Sequence, residues 1–231
     1  MAANWMRRTL MVAACASAAL LAACGSSTTE SAITPQRFIA FGDAMNDVGQ
    51  NGSRYTVNDG SVNNWTLQVV ANYGKSLTPV SAGGLSYATG NARVSAKPDA
   101  AGNASTRTVT EQIDAFLASG SFAATDVVMV SGGVSDVIAG MAAVNAGTLT
   151  QDAMVAAARK AGEDLAAQVR RLVTAGAKYV VVTGTYDLSK TPWAKAIGRE
   201  ALLSNASSRF NEGLLVGIVD LGANVLYVDS A

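Results

Sequence analysis

Phe38-Ile39-Ala40-Phe41-Gly42-Asp43-Ala44-Met45-Asn46-Asp47-Val48-Gly49 decides how this chain is read. The apolar run Phe38 to Phe41 has no polar alternation, so it predicts a strand covered on both faces. Gly42-Asp43 then stops the run, and the small and polar residues that follow predict a tight turn. The same sequence of apolar run and turn recurs at Asp126–Ser131, which leads into Gly132-Gly133-Val134-Ser135-Asp136, and again at Lys178–Thr183 and Val225–Asp229. Leu77–Val80 adds a short second strand.

Apolar residues spaced three and four apart fill the intervals. Val62, Trp65, Val69 and Tyr73 predict a helix ended by Gly74. Thr108-Val109-Thr110-Glu111 is a capping-box pattern opening a helix with Ile113, Phe116 and Leu117 inward, closed by Gly120. Met154, Ala158, Ala161, Leu165, Val169 and Leu172 lie on one stripe of a long helix over Gln151–Ala175. Leu203, Ala206, Phe210, Leu214, Gly217 and Leu221 form another stripe, stopped by Gly222. Lys97–Arg107 and Tyr186–Trp193 read as loops. Strands alternating with helices at this separation need parallel pairing through crossovers. The expectation is a doubly wound α/β sheet of about five strands, with ligands at the carboxyl ends of the strands.

At 231 residues the chain suits one medium domain. Seventeen basic residues against seventeen acidic leave no electrostatic footprint for nucleic acid, so no nucleic-acid partner is expected. There is no histidine, which excludes His-based acid–base catalysis and His-ligated metal within these residues. The two cysteines, Cys15 and Cys24, both precede the domain, so its body can hold neither a disulfide framework nor a cysteine metal site. No cofactor or metal is expected.

Arg7-Arg8, an apolar stretch from Leu10 to Ala23 and then Gly25-Ser26-Ser27-Thr28-Thr29 read as an export signal, too short for an ordinary membrane span. Its end, Leu21-Ala22-Ala23-Cys24, resembles the lipobox of bacterial lipoproteins. That resemblance implies acylation of Cys24, which would become the mature N-terminus; a plain signal peptide cut elsewhere in the Ala-rich run is the alternative. Several acyl chains hold a protein on a membrane stably where one does not. Gly25 is compatible with outer-membrane sorting by that resemblance. The expected arrangement is a signal over 1–24, a Ser/Thr-rich flexible tether over 25–36 and a domain over 37–231, exported and held at a membrane through Cys24.

Three stretches resemble the blocks of the GDSL, or SGNH, family of serine esterases and lipases. Phe41-Gly42-Asp43-Ala44-Met45-Asn46-Asp47 resembles the first block, Phe-Gly-Asp-Ser-Leu-Ser-Asp, with Ala44 at the place of the nucleophilic serine. Ser86-Tyr87-Ala88-Thr89-Gly90-Asn91-Ala92 resembles the second, Asn-Tyr-Ala-x-Gly-Gly-Ala, so Gly90 falls where the family uses a backbone donor to the oxyanion. Gly133-Val134-Ser135-Asp136 resembles the third, Gly-x-Asn-Asp, with Ser135 in place of the oxyanion Asn. Asp43 and Asp136 flank these positions and are expected to be structural, Asp136 as a cap of the following helix. The resemblance implies an SGNH-hydrolase-like, flavodoxin-like three-layer α/β/α fold and a carboxylic-ester hydrolase.

Hydrolysis of that kind needs a hydroxyl nucleophile, a base and oxyanion donors. The family's base is a His in an Asp-x-x-His block beyond the last strand, and the sequence ends at Ala231 before such a block. Asp43, Asp47 and Asp136 are acids near the expected site, but carboxylates on turns commonly cap backbone N–H groups. Three readings are open: an esterase-lineage member without catalysis, a non-catalytic binder of a small ester, lipid or glycan, and a C-terminally truncated chain.

Overall fold

The computed structural model describes residues 31–55 and 61–230. Cys15, Cys24, the signal and most of the tether lie outside the described residues, as do residues 56–60 of the first loop. Residues 1–34 and 35–231 separate into two units, and every described strand and helix belongs to the second.

In chain order the elements are β1 (Phe38–Phe41), α1 (Trp65–Asn72), α2 (Val109–Leu117), β2 (Val127–Ser131), α3 (Val134–Asn145), α4 (Gln151–Thr174), β3 (Tyr179–Thr183), α5 (Pro192–Ile197), α6 (Glu200–Ile218) and β4 (Val225–Val228). The four strands form one sheet in the order β1-β2-β3-β4. Every pairing is parallel, with Phe41 beside Val130, Val130 beside Val182 and Val182 beside Tyr227. The chain has the parallel α/β fold that the alternation of patterns predicts.

Strand periodicity of two sends Ile39, Phe41, Val128, Val130, Val180 and Val182 to one face, and all six are in the main core. That face is covered by Ile113 and Phe116 of α2, Val137 and Met141 of α3, Leu165 and Val169 of α4, and Phe210 and Leu214 of α6. Helices α4 and α6 cross closely because Gly162 and Gly213 lack side chains. A Cβ at Gly162 would stand 2.0 Å from the Phe210 carbonyl oxygen, and one at Gly213 would stand 2.4 Å from that of Arg159. The opposite face is covered over β1, where Phe38 meets the ring of Tyr73 at the end of α1 with centroids 5.7 Å apart. Over β4 that face is open: Leu226 is 61% and Val228 38% exposed.

The predicted strand at Leu77–Val80 is absent, leaving four strands where about five were expected. Pro79 has no N–H for a ladder, and Val80–Ala82 winds into a 3₁₀ turn instead. Its place beside β1 is taken by Leu85–Tyr87: Ala40 donates its N–H to the Leu85 carbonyl at 3.1 Å, and Tyr87 donates to the Ala40 carbonyl at 2.7 Å. The chain therefore leaves β1 on one side, returns through β2 on the other, and makes β1 the point where the winding direction changes. In an open α/β sheet a crevice forms at such a point.

Two further differences are local. In α1 the buried residues are Thr66 and Val70, one position on from the Trp65–Val69 stripe. The helix is rotated by polar anchors: Asn64 caps it, and the Thr66 hydroxyl donates to Asn46 Oδ1 at 3.0 Å. The Tyr186–Trp193 stretch contains a 3₁₀ turn and the start of α5, where Thr191 caps a helix with Pro192 in its first turn.

Candidate functional site

The turn after β1 is built by a glycine and two buried carboxylates. Gly42 has φ 140°, and a Cβ there would lie 2.3 Å from Ser131 Oγ, so only glycine lets the ends of β1 and β2 approach. Gln112 reaches from α2 to take the place of a strand partner. Its Oε1 accepts the Gly42 N–H at 2.8 Å and its Nε2 donates to the Gly42 carbonyl at 2.9 Å.

Asp43 is completely buried. Its Oδ1 accepts the Met45 N–H at 3.2 Å and the Ser131 hydroxyl at 3.0 Å, while Oδ2 has no partner among the described residues. Burial pushes its acid up from the usual carboxylate value, and those hydrogen bonds only partly oppose it. Asp47, 2% exposed, is held far better. Oδ1 accepts the N–H groups of Gly49 and Gln50, both at 2.8 Å, and Oδ2 accepts that of Gly90 at 2.7 Å. Both acids thus bond to backbone N–H groups of their own turn.

Ala44 sits half-buried between them on the crest of the turn. Its amide donates to no carbonyl or side chain among the described residues. A methyl group offers no lone pair, so nothing at this position can attack a carbonyl.

The segment carrying Gly90 is tied to the same turn, since Thr89 donates its N–H to the Gly42 carbonyl at 3.0 Å. The Gly90 amide, expected as an oxyanion donor, is instead committed to Asp47. The Tyr55 side chain also lies over Gly90: a Cβ there would be 2.0 Å from the Tyr55 hydroxyl oxygen. Burial and the facing carboxylates of Asp47 and Asp99 push that phenol up. Sequence reasoning missed both contacts, because no local pattern pairs residue 90 with residues 47 and 55.

The turn after β2 holds Ser135 and Asp136. Gly133, at φ 105°, caps α3 without a side-chain bond, and Ser135 and Asp136 occupy its first turn, 3% and 8% exposed. Asp136 does not cap its own helix. Its Oδ2 accepts the Val94 N–H at 3.0 Å and its Oδ1 the Arg93 Nε at 3.3 Å, which fastens the segment after Gly90 to α3. Its acid is pushed up to about 6, chiefly by burial, against the opposing pull of Val94 and Arg93.

Ala44, Gly90 and the Ser135–Asp136 turn are thus joined through Thr89, Ser131 and Val94 at the carboxyl ends of β1 and β2. Among the described residues no cluster of three or more His, Cys, Asp or Glu side chains is placed to hold a metal. No described helix is long and apolar enough to cross a membrane. A family model described as GDSL-like Lipase/Acylhydrolase matches residues 38–228, from the first residue of β1 to the last of β4. No curated protein matches the chain.

Proposed function

The chain belongs to the GDSL-like lipase/acylhydrolase family, whose members are hydrolases of the esterase and lipase kind, and from that premise we propose that it is an exported lipoprotein of this lineage that does not itself turn over esters. The observation that carries the proposal is Ala44, a methyl on the crest of the β1 turn where the resemblance puts the nucleophilic hydroxyl. The absence of any histidine in the 231 residues supports it further, since a serine at that place would have no imidazole to take its proton. Gly90 and Ser135 bear on the oxyanion side: the Gly90 amide is occupied by Asp47, and a serine hydroxyl is shorter than the asparagine amide it replaces. Removing nucleophile and base leaves only what binding and donors supply, on the order of 10³–10⁴ over water in triad enzymes. The purified protein is expected to hydrolyse p-nitrophenyl acetate no faster than a heat-denatured control. A rate well above that control would overturn the proposal.

The unused Ala44 amide favours a second reading, in which the crevice binds a small ester, lipid or glycan without cleaving it. A ligand that binds only the folded state raises its melting temperature. No shift with a panel of ester and lipid analogues would count against this reading.

Attachment to a membrane rests on the resemblance of Leu21-Ala22-Ala23-Cys24 to a lipobox, and on that reading the domain would be held at the outer membrane, on its periplasmic side, or at the cell surface. Radiolabelled palmitate should enter the wild-type chain and not Cys24→Ala; equal labelling of both would refute acylation at that residue.

A further inference from the structure

A hollow of about 380 Å³ opens between the 50–51, 80–81, 87–89 and 103–107 segments, and its lining includes no carboxylate. Arg107 is the one charged side chain there. Basic residues close by are already paired, Lys97 with Glu111 and Arg93 with Asp136. Arg107 makes no ion pair and no side-chain hydrogen bond among the described residues, and its side chain is exposed. Asp99, bonded to Thr106 of the wall, is 7% exposed and turned into its own loop. It accepts the N–H groups of Ala101 and Asn103 at 2.9 and 2.8 Å and the Thr106 hydroxyl at 2.6 Å.

Three hydroxyls of the wall direct their protons into the protein. Thr106 donates to Asp99, Ser105 donates to Asn103 Oδ1 at 2.8 Å, and Ser81 donates to the Gln50 carbonyl at 2.9 Å. Each therefore has lone pairs left to accept from a ligand. Asn103 shows the opposite polarity: its Oδ1 is taken by the Ser105 N–H and hydroxyl, which leaves its NH₂ to donate. An unpaired guanidinium beside an amide donor suits an oxyanion, and the surrounding acceptors suit hydroxyl donors on the same molecule.

We propose that this hollow binds a polyhydroxylated small molecule bearing an oxyanion, a sugar acid or a sugar phosphate, with Arg107 and Asn103 on the anion and the wall hydroxyls accepting from the ligand. The inference is independent of what residue 44 does, since no residue of the β1 turn before Gln50 lines the hollow.

Thermal melting of the full chain at low ionic strength, where the Arg107 charge is least screened, tests it. Glucuronate and glucose 6-phosphate are each expected to raise Tm by roughly 3–5 °C once about tenfold above Kd. Glucose should give no shift. Arg107→Ala, at an exposed position, should keep the unliganded Tm and lose both responses, and Arg107→Lys should retain part of them. The proposal is overturned if neither sugar anion shifts Tm, if glucose shifts it equally, or if Arg107→Ala still responds. An equal shift with inorganic phosphate alone would show an adventitious ion only and would remove the polyol half of the proposal.

Discussion

The turns after β1 and β2 are alike in plan and unlike in how they treat a carboxylate. Each follows a fully buried strand through a glycine of positive φ, and each buries an acid. After β1, Asp47 receives three backbone N–H groups at 2.7–2.8 Å. After β2, Asp136 receives one N–H and a longer contact from Arg93, and its acid is pushed up to about 6. Burial costs a charge its hydration in both places, and the number of donors facing it decides how far that cost is offset. Among the described residues neither acid is hydrogen-bonded to a histidine or to a hydroxyl nucleophile. Both fasten loops: Asp47 holds the Gly90 segment to the β1 turn, and Asp136 holds the following segment to α3. On the proposed reading, the two turns preserve the frame of an esterase site, with Ala44 and Ser135 at the positions that the resemblance assigns to nucleophile and oxyanion donor.

The comparison breaks most visibly at Asp47. Asp47→Ala removes three charge-assisted bonds and leaves the buried Gly90 amide unsatisfied, which should cost about 4 kcal/mol. In urea unfolding, a loss below about 1 kcal/mol would mean that the carboxylate does not hold the turn. Asp136 tests the other turn through pH. Its folded acid is raised, so the native state holds the proton more tightly than the unfolded chain. Its contribution is therefore fully present below the ordinary carboxylate value of 3.8 and is lost as pH rises through about 6. The shift of some two units corresponds to about 3 kcal/mol. The difference between wild type and Asp136→Asn should change by that order between pH 4 and pH 7. A pH-independent difference would contradict the assigned environment. The smallest effect is expected at Gly90→Ala, where the clash is with the end of an exposed tyrosine that can swing aside. A loss of about 1 kcal/mol is expected, largely removed in the double variant with Tyr55→Ala. Additive losses would show that Tyr55 does not rest on Gly90.

Much of the fold was legible because its signals are local. The stripe from Met154 to Leu172 faces the core throughout, and Thr108 and Glu111 form the reciprocal capping box that their spacing predicts. Leu77–Val80 misled because a short apolar run does not say how far a pairing extends: Pro79 forms a single bridge with Ser86, and the chain then winds into a 3₁₀ turn from Val80. The α1 stripe was off by one residue because Asn64 and Thr66, both polar, set the helix's rotation through Asp47 and Asn46. Thr191-Pro192 carried a start signal for α5 that a loop reading passed over. At the candidate site, the three blocks marked the segments of Ala44, Gly90 and Ser135, which the structure brings together at the carboxyl ends of β1 and β2. The hydrogen-bond partners there were not legible, since Asp47 to Gly90, Gln112 to Gly42 and Asp136 to Val94 join residues 42 to 70 apart in sequence.

Ester hydrolysis by Ala44→Ser, measured beside wild type and a heat-denatured control, bears most directly on the claim that the esterase frame persists without its chemistry. Restoring the hydroxyl supplies a nucleophile but no imidazole to activate it, so both proteins should release p-nitrophenol from p-nitrophenyl acetate at the control rate. Turnover by Ala44→Ser clearly above that rate would show that another group in these 231 residues acts as the base, and turnover by wild type would show that Ala44 is not where the chemistry was lost.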